Sequence, residues 1–173
     1  MEKKPLVSKK LLLPFLLLLI GFVPTGCQEK LEFPIEPQIT YEGFQYLIDA
    51  DSVLTGEGIL SIGYTDGDGD LGLDDRDTLY PFGLHDPHYY NLLIDYLRWD
   101  GTQFVADTVN FNIRFKRLTA NEDPTAIFGT FDCTLPLRNP LHPDDTVKLQ
   151  IRVVDRALNV SNCVESEAIC FKQ

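Results

Sequence analysis

The chain has 173 residues, 44% of them hydrophobic and 11% aromatic, enough for one domain with a substantial core. Its 26 acidic residues against 15 basic ones give a formal net charge of −11. That excludes nucleic acid as a partner, because phosphate binding needs concentrated Lys and Arg. The charge is unevenly spread: residues 1–26 hold four of the basic residues and one acid, so the remainder carries −14.

Residues 1–26 read as an export signal. Lys3, Lys4, Lys9 and Lys10 form a positive start, and Leu11 to Val23 form an apolar run broken by Pro14. Thirteen residues are too few for a bilayer-spanning helix, which takes about 20. The stretch ends in Pro24-Thr25-Gly26-Cys27, which resembles the lipobox of bacterial lipoproteins and departs from it at Pro24, where an aliphatic residue is usual. The resemblance implies that Cys27 is acylated and becomes the new N-terminus. A lipid-anchored protein on the membrane is then expected, since two or more acyl chains hold a protein stably there. Gln28 stands where an Asp would favour inner-membrane retention, so the same resemblance implies the outer membrane.

Residues 27–38 are expected to be the lipidated Cys and a tether. The segment after Cys27, QEKLEFPIEPQ, has Pro34 and Pro37 and no helical apolar stripe. Extended, it would reach about 30 Å at about 3.1 Å per residue. Alternation of Leu31, Phe33 and Ile35 offers an edge strand as the alternative.

From residue 39 to 173 the hydrophobic period is two. Leu60, Ile62 and Tyr64 share one face of a strand; Leu92 to Trp99 is a second, closed by the turn signal Asp100-Gly101 and returning at Gln103–Val105. Asn110 to Lys116 alternates strictly, as does Val147 to Val153. Weaker strands are expected at 39–47, 128–135 and 168–171. Seven or eight short strands without an amphipathic helix predict a single antiparallel β-sandwich, immunoglobulin-like, with a small barrel as the alternative. Residues 71–91 form a connection long enough to suggest function or disorder.

The acidic residues concentrate in one loop. Residues 66–77 read DGDGDLGLDDRD, six aspartates and one arginine. Asp66, Asp68, Asp70, Asp74 and Asp77 occupy positions 1, 3, 5, 9 and 12 of a twelve-residue calcium loop, where oxygen ligands converge as the chain curls round the ion. The spacing resembles EF-hand and thrombospondin type 3 loops, with Leu71 at the turn-glycine position and no acidic Glu at position 12. Calcium is the expected cofactor, with a solvated acidic turn as the alternative. Asp155 and Asn159 are candidates to add oxygens at the same pole. Tyr89 and Tyr90, beside the long loop, are a candidate ligand platform, although alternating aromatics are more often core. With Cys27 acylated, Cys163 and Cys170 could bridge across a hairpin centred on Ser166-Glu167; Cys133 to either, or free thiols, are the alternatives.

The strand leading into Asp66-Gly67-Asp68-Gly69-Asp70-Leu71-Gly72, together with Val154 to Asn162 and the lipobox, resembles small lipoproteins of Bacteroidota. The late segment is similar to the closing strands of bacterial immunoglobulin-like domains, with Leu158 where their glycine stands. The resemblance implies fold and location and carries no activity. No nucleophile elbow, zincin or phosphate-loop motif is present in the sequence. The expected function is therefore a non-catalytic, lipid-anchored binding or adhesion module with a protein or glycan partner. An accessory subunit of an outer-membrane complex is the alternative, and a β-sandwich hydrolase a third.

Overall fold

Alternating apolar residues build two antiparallel sheets that close on one another. A computed structural model describes residues 32–48, 54–119, 125–136 and 146–170. The export signal, Cys27 and residues 28–31 lie outside the described residues, and the described ones all fall in the unit Glu32–Gln173. Their order is β1 (Gln38–Ile48), β2 (Leu54–Asp66), β3 (Leu92–Trp99), β4 (Phe104–Asn110), β5 (Ile127–Pro136), β6 (Thr146–Val153), β7 (Val164–Glu165) and β8 (Ile169–Cys170). No helix occurs among the described residues.

One sheet runs β1-β2-β5. The other runs β4-β3-β6-β7, with β8 pairing farther along β6. In β6 burial alternates at every position, with Val147, Leu149, Ile151 and Val153 all fully buried. Leu149, Ile151 and Val153 meet Tyr96, Ile94 and Leu92 of β3 in register, so the apolar faces of the two strands coincide there. From the facing sheet, Leu60 and Ile62 of β2 and Leu135 of β5 complete the core. Phe115 stacks on Phe131 with ring centroids 5.0 Å apart. Two sheets packed by their alternating inner faces make the antiparallel sandwich that the sequence periodicity predicts.

Three expectations change. The alternating segment Asn110 to Lys116 is not a strand of its own. β4 ends at Asn110, and the chain then continues past β3 through an isolated bridge from Ile113 to Leu92, before Lys116 bridges Leu73 of the long loop. The cause is that two asparagine side chains stand in for ladder groups: Ile94 N donates to Asn112 Oδ1 (3.0 Å), and Asn91 Nδ2 and Oδ1 pair with the backbone of Phe115 (3.0 and 2.7 Å).

The hairpin joining Cys163 and Cys170 is also replaced. β7 and β8 are successive stretches along one edge of β6, pairing with Gln150–Ile151 and then with Thr146–Val147. The two cysteines therefore sit at opposite ends of that edge, and both are exposed free thiols. Cys133 is free as well, and burial, with Asp132 beside it, pushes its thiol up to about 12.

The described end of the tether is docked rather than free. Gly67 N donates to Pro34 O (2.8 Å), and the Phe33 ring lies 5.9 Å from that of Phe128.

Candidate metal centre

The acidic loop begins at the end of β2, where Asp66 is fully buried. Its Oδ2 accepts from Leu71 N (3.1 Å), so the chain curls back over the carboxylate within five residues. Leu71 is itself fully buried in the core and fixes that curl. Gly69 and Gly72 make it possible, with φ of 71° and 97°. A Cβ on Gly72 would stand 2.5 Å from the Cα of Arg117. Beyond the curl, Leu73 pairs in parallel with Lys116, and its backbone bonds Phe115 and Arg117 (both 3.2 Å).

On the other side of the site, Val154 to Val160 forms a tight turn. Both oxygens of Asp155 are held by Asn159, from its N (2.7 Å) and its Nδ2 (2.8 Å). Asn159 thus orients Asp155 through its N–H groups. Leu158 adopts φ 71°, the left-handed conformation that glycine takes without strain.

Loop and turn bring Asp66, Asp70 and Asp155 together. One oxygen from each lies within 4.8 Å of the other two. Asp66 and Asp155 are 0% and 1% exposed. Burial, then the neighbouring carboxylates Asp68, Asp70 and Asp155, pushes Asp66 up to about 7. Burial, then Asp155 and Asp68, pushes Asp70 up to about 6, against the pull of N–H groups from Ala157 and Arg156. Asp155 is raised, first by burial. Burial and mutual repulsion thus oppose the ionisation of all three carboxylates.

Three oxygens in this cluster, Asp66 Oδ1, Asp68 Oδ1 and Asp70 Oδ1, are buried with no hydrogen-bond partner. Buried polar atoms in folded proteins nearly always have one. Unpartnered carboxylate oxygens beside the converging Asp66, Asp70 and Asp155 suit a hard cation that binds oxygen.

The twelve-residue spacing is only partly reproduced. Asp66, Asp68 and Asp70 gather, whereas Asp74 and Asp77 turn away. Arg76 bonds Asp74 (Nη2 to Oδ2, 3.3 Å) and holds it below the usual carboxylate range. Asp77 accepts from Arg156 Nη2 (2.8 Å) and from the backbone N of Asp74 (2.8 Å). The divergence starts at Leu71, whose burial pulls the chain into the core before position 9 is reached.

Tyr89 and Tyr90 meet edge to face, centroids 4.9 Å apart at 81°. Arg114 covers one face of Tyr89 at 5.1 Å, and Tyr90 is 45% exposed. Sequence periodicity overlooked Arg114, whose guanidinium donates to four carbonyls of the long loop: Phe82 (3.2 Å), Tyr89 (3.1 Å), Asp74 (3.2 Å) and Asp77 (2.9 Å). One side chain thereby holds residues 74–89 against the sandwich. In the sequence Arg114 is one of two basic residues on the polar face of a strict alternation, and nothing there marks it as the anchor of the loop.

No family model matches the chain, and no curated protein does. Among solved structures, a crystal structure of a Bordetella pertussis protein provisionally named ApaA aligns with 83% of this chain and 98% of its own. The identity is 11% and the TM-score 0.23, a level of likeness that carries no inference.

Proposed function

We propose that this is a non-catalytic, lipid-anchored envelope module in which a calcium ion ties the acidic loop to the closing turn of the sandwich. The observation that carries the reading is the convergence of Asp66, Asp70 and Asp155, with orphaned oxygens on Asp66, Asp68 and Asp70. Three carboxylate oxygens that all lie within 4.8 Å of one another are close enough for one hard, oxygen-binding cation to touch all of them. Magnesium, at about 2.0–2.1 Å, demands a tighter octahedron and retains its waters. The ion would join residues 66–70 to residue 155, stiffening the pole that also carries the long loop. An immunoglobulin-like topology is supported by the order β1-β2-β5 facing β4-β3-β6-β7, which sets the second and sixth strands at the centre of opposite sheets. The anchor at Cys27 and the outer-membrane location rest on the lipobox resemblance.

One observation favours the second reading, an accessory subunit of an outer-membrane complex. Leu79, Tyr80 and Leu84 project from the long loop at 80%, 79% and 66% exposure. Clustered exposed apolar groups are where proteins dock.

The test of the first reading is a thermal melt of the full chain in detergent, in chelator and then in millimolar calcium. A rise in melting temperature with calcium that magnesium does not match supports it, and an unchanged melt overturns it.

A further inference from the structure

The segment entering β1 rests on the backbone of the acidic loop. Gly67 lies between Asp66 and Asp68, and its N donates to Pro34 O (2.8 Å). The approach is close: a Cβ on Gly67 would stand 2.3 Å from Phe33 O and 2.6 Å from Pro34 O. The Phe33 ring packs on Phe128, and Pro37 is buried. Farther along, Ile39 is pinned by Asn162, which accepts from its N (2.8 Å) and donates to its O (2.9 Å). Asn162 directly follows the closing turn, whose ends bridge at Val154 and Val160.

Residues 33–39 therefore span the two elements whose carboxylates converge. One end is held by the acidic loop that carries Asp66 and Asp70, the other by the chain leaving the Asp155 turn. Between the two pins the hold is light, with Pro34 and Glu36 exposed and Ile35 55% exposed. A cation shared by Asp66, Asp70 and Asp155 fixes the loop against the turn, and so fixes the separation of the pins. Without one, like charges at this range push the loop from the turn, and Gly67 moves with its neighbour Asp66. A segment with so few contacts of its own is then the first to open.

We propose that cation binding at Asp66, Asp70 and Asp155 docks residues 33–37 on the domain, and that loss of the cation frees them. This coupling rests on the cation site proposed for the same loop. Freed, the segment lengthens the link between Cys27 and the sandwich by about 15 Å, at about 3.1 Å per residue. The cation then sets how far the domain stands from the lipid anchor proposed at Cys27. Linkage makes the effect reciprocal, so a docked segment strengthens cation binding by the same factor.

The experiment is nitrogen-15 relaxation on the full chain in detergent, in chelator and in millimolar calcium, with melts of the same samples. Calcium raises the amide order parameters of Phe33, Ile35 and Glu36 from below about 0.6 to about 0.8, while Leu149 and Ile151 in β6 stay near about 0.85 in both states. Phe33→Ala removes the ring contact and leaves every carboxylate in place, and Gly67→Ala forces the Phe33 and Pro34 carbonyls away. In both variants residues 33–37 stay mobile in calcium, and calcium affinity by calorimetry falls about fivefold or more. Should Gly67→Ala fail to fold, Phe33→Ala carries the comparison alone. A calcium-induced rise in melting temperature with unchanged order at residues 33–37 overturns the coupling and leaves the cation site standing, as does unchanged calcium affinity in Phe33→Ala. No rise in melting temperature with calcium overturns the cation site and the coupling together.

Discussion

Replacing Asp70 by Asn should move stability in opposite directions depending on calcium. Without a cation, ionised Asp70 lies within 4.8 Å of Asp155 and Asp66. Two unit charges at that separation repel by about 3.5 kcal/mol at an effective dielectric of about 20. Asn keeps the shape and the acceptor for the N–H groups of Ala157 and Arg156 and removes the charge. Bonds to a neutral acceptor are weaker than to a carboxylate by about 1 kcal/mol each. The net gain is then about 1–2 kcal/mol, or about 3–8 °C for a domain of this size. With calcium the order reverses. At a hundredfold excess over Kd, binding adds about 2.7 kcal/mol to the unaltered chain, roughly 10 °C, and nothing to a variant that lacks a ligand. Melts at pH 7.5 followed by circular dichroism, in chelator and in calcium, read both effects. A variant less stable than the parent in chelator would mean that the Asp70 charge is a structural acceptor. A calcium response as large as the parent's would mean that Asp70 is no ligand. Either result refutes the reasoning.

Three further outcomes are expected. In chelator, stability should fall as pH rises from about 4 to about 7, because Asp66 and Asp70, raised to about 7 and about 6, keep protons in the folded chain that the unfolded chain has released. Calcium should flatten that fall, and denaturant melts at pH 5.5 and 7.5 check it; stability that rises over this interval in chelator would contradict the repulsion. Arg114→Leu should cost about 3 kcal/mol, since four loop carbonyls lose a charged donor, and limited proteolysis should then cut first between residues 74 and 90. Resistance equal to the parent's would show that the loop is held by other contacts. Cys27→Ser should move the protein from the membrane to the soluble fraction on cell fractionation, and unchanged partitioning would rule out a lipid anchor at that residue.

The sandwich was legible where a strand's inner face is purely apolar. Leu92–Trp99 and Val147–Val153 read as strands because alternate residues point into the core, a pattern fixed by local geometry. Asn110 to Lys116 carries the same alternation and breaks up all the same. Asn91 and Asn112 replace ladder bonds with side-chain ones, and Arg114 turns to the long loop, contacts set by partners many residues away. Cys163 and Cys170 illustrate the same limit: two short strands separated by three residues look like a hairpin in sequence, and only the length of β6 lets both pair along one edge.

The acidic loop divides in a similar way. Spacing identified Asp66, Asp68 and Asp70, which follow one another round the curl, and it implied Asp74 and Asp77, which do not return. Local spacing carries no information on whether Leu71 will find a core to enter. Asp155 was only a candidate at the same pole of the sandwich, with no spacing to the loop behind it, because it lies 85 positions after Asp70; the resemblance of its turn to closing strands concerned fold and location. Leu158, placed by that resemblance at a glycine position, does adopt a left-handed backbone.

The most direct measurement is a crystal structure of the protein grown in calcium, with anomalous data collected to identify the ion. The account predicts one calcium peak among Asp66, Asp70 and Asp155, at about 2.3–2.6 Å from an oxygen of each, with the orphaned Oδ1 atoms of Asp66 and Asp70 among the ligands. Carboxylates that stay together around water or a shared proton, with no calcium peak at saturating concentration, would contradict it.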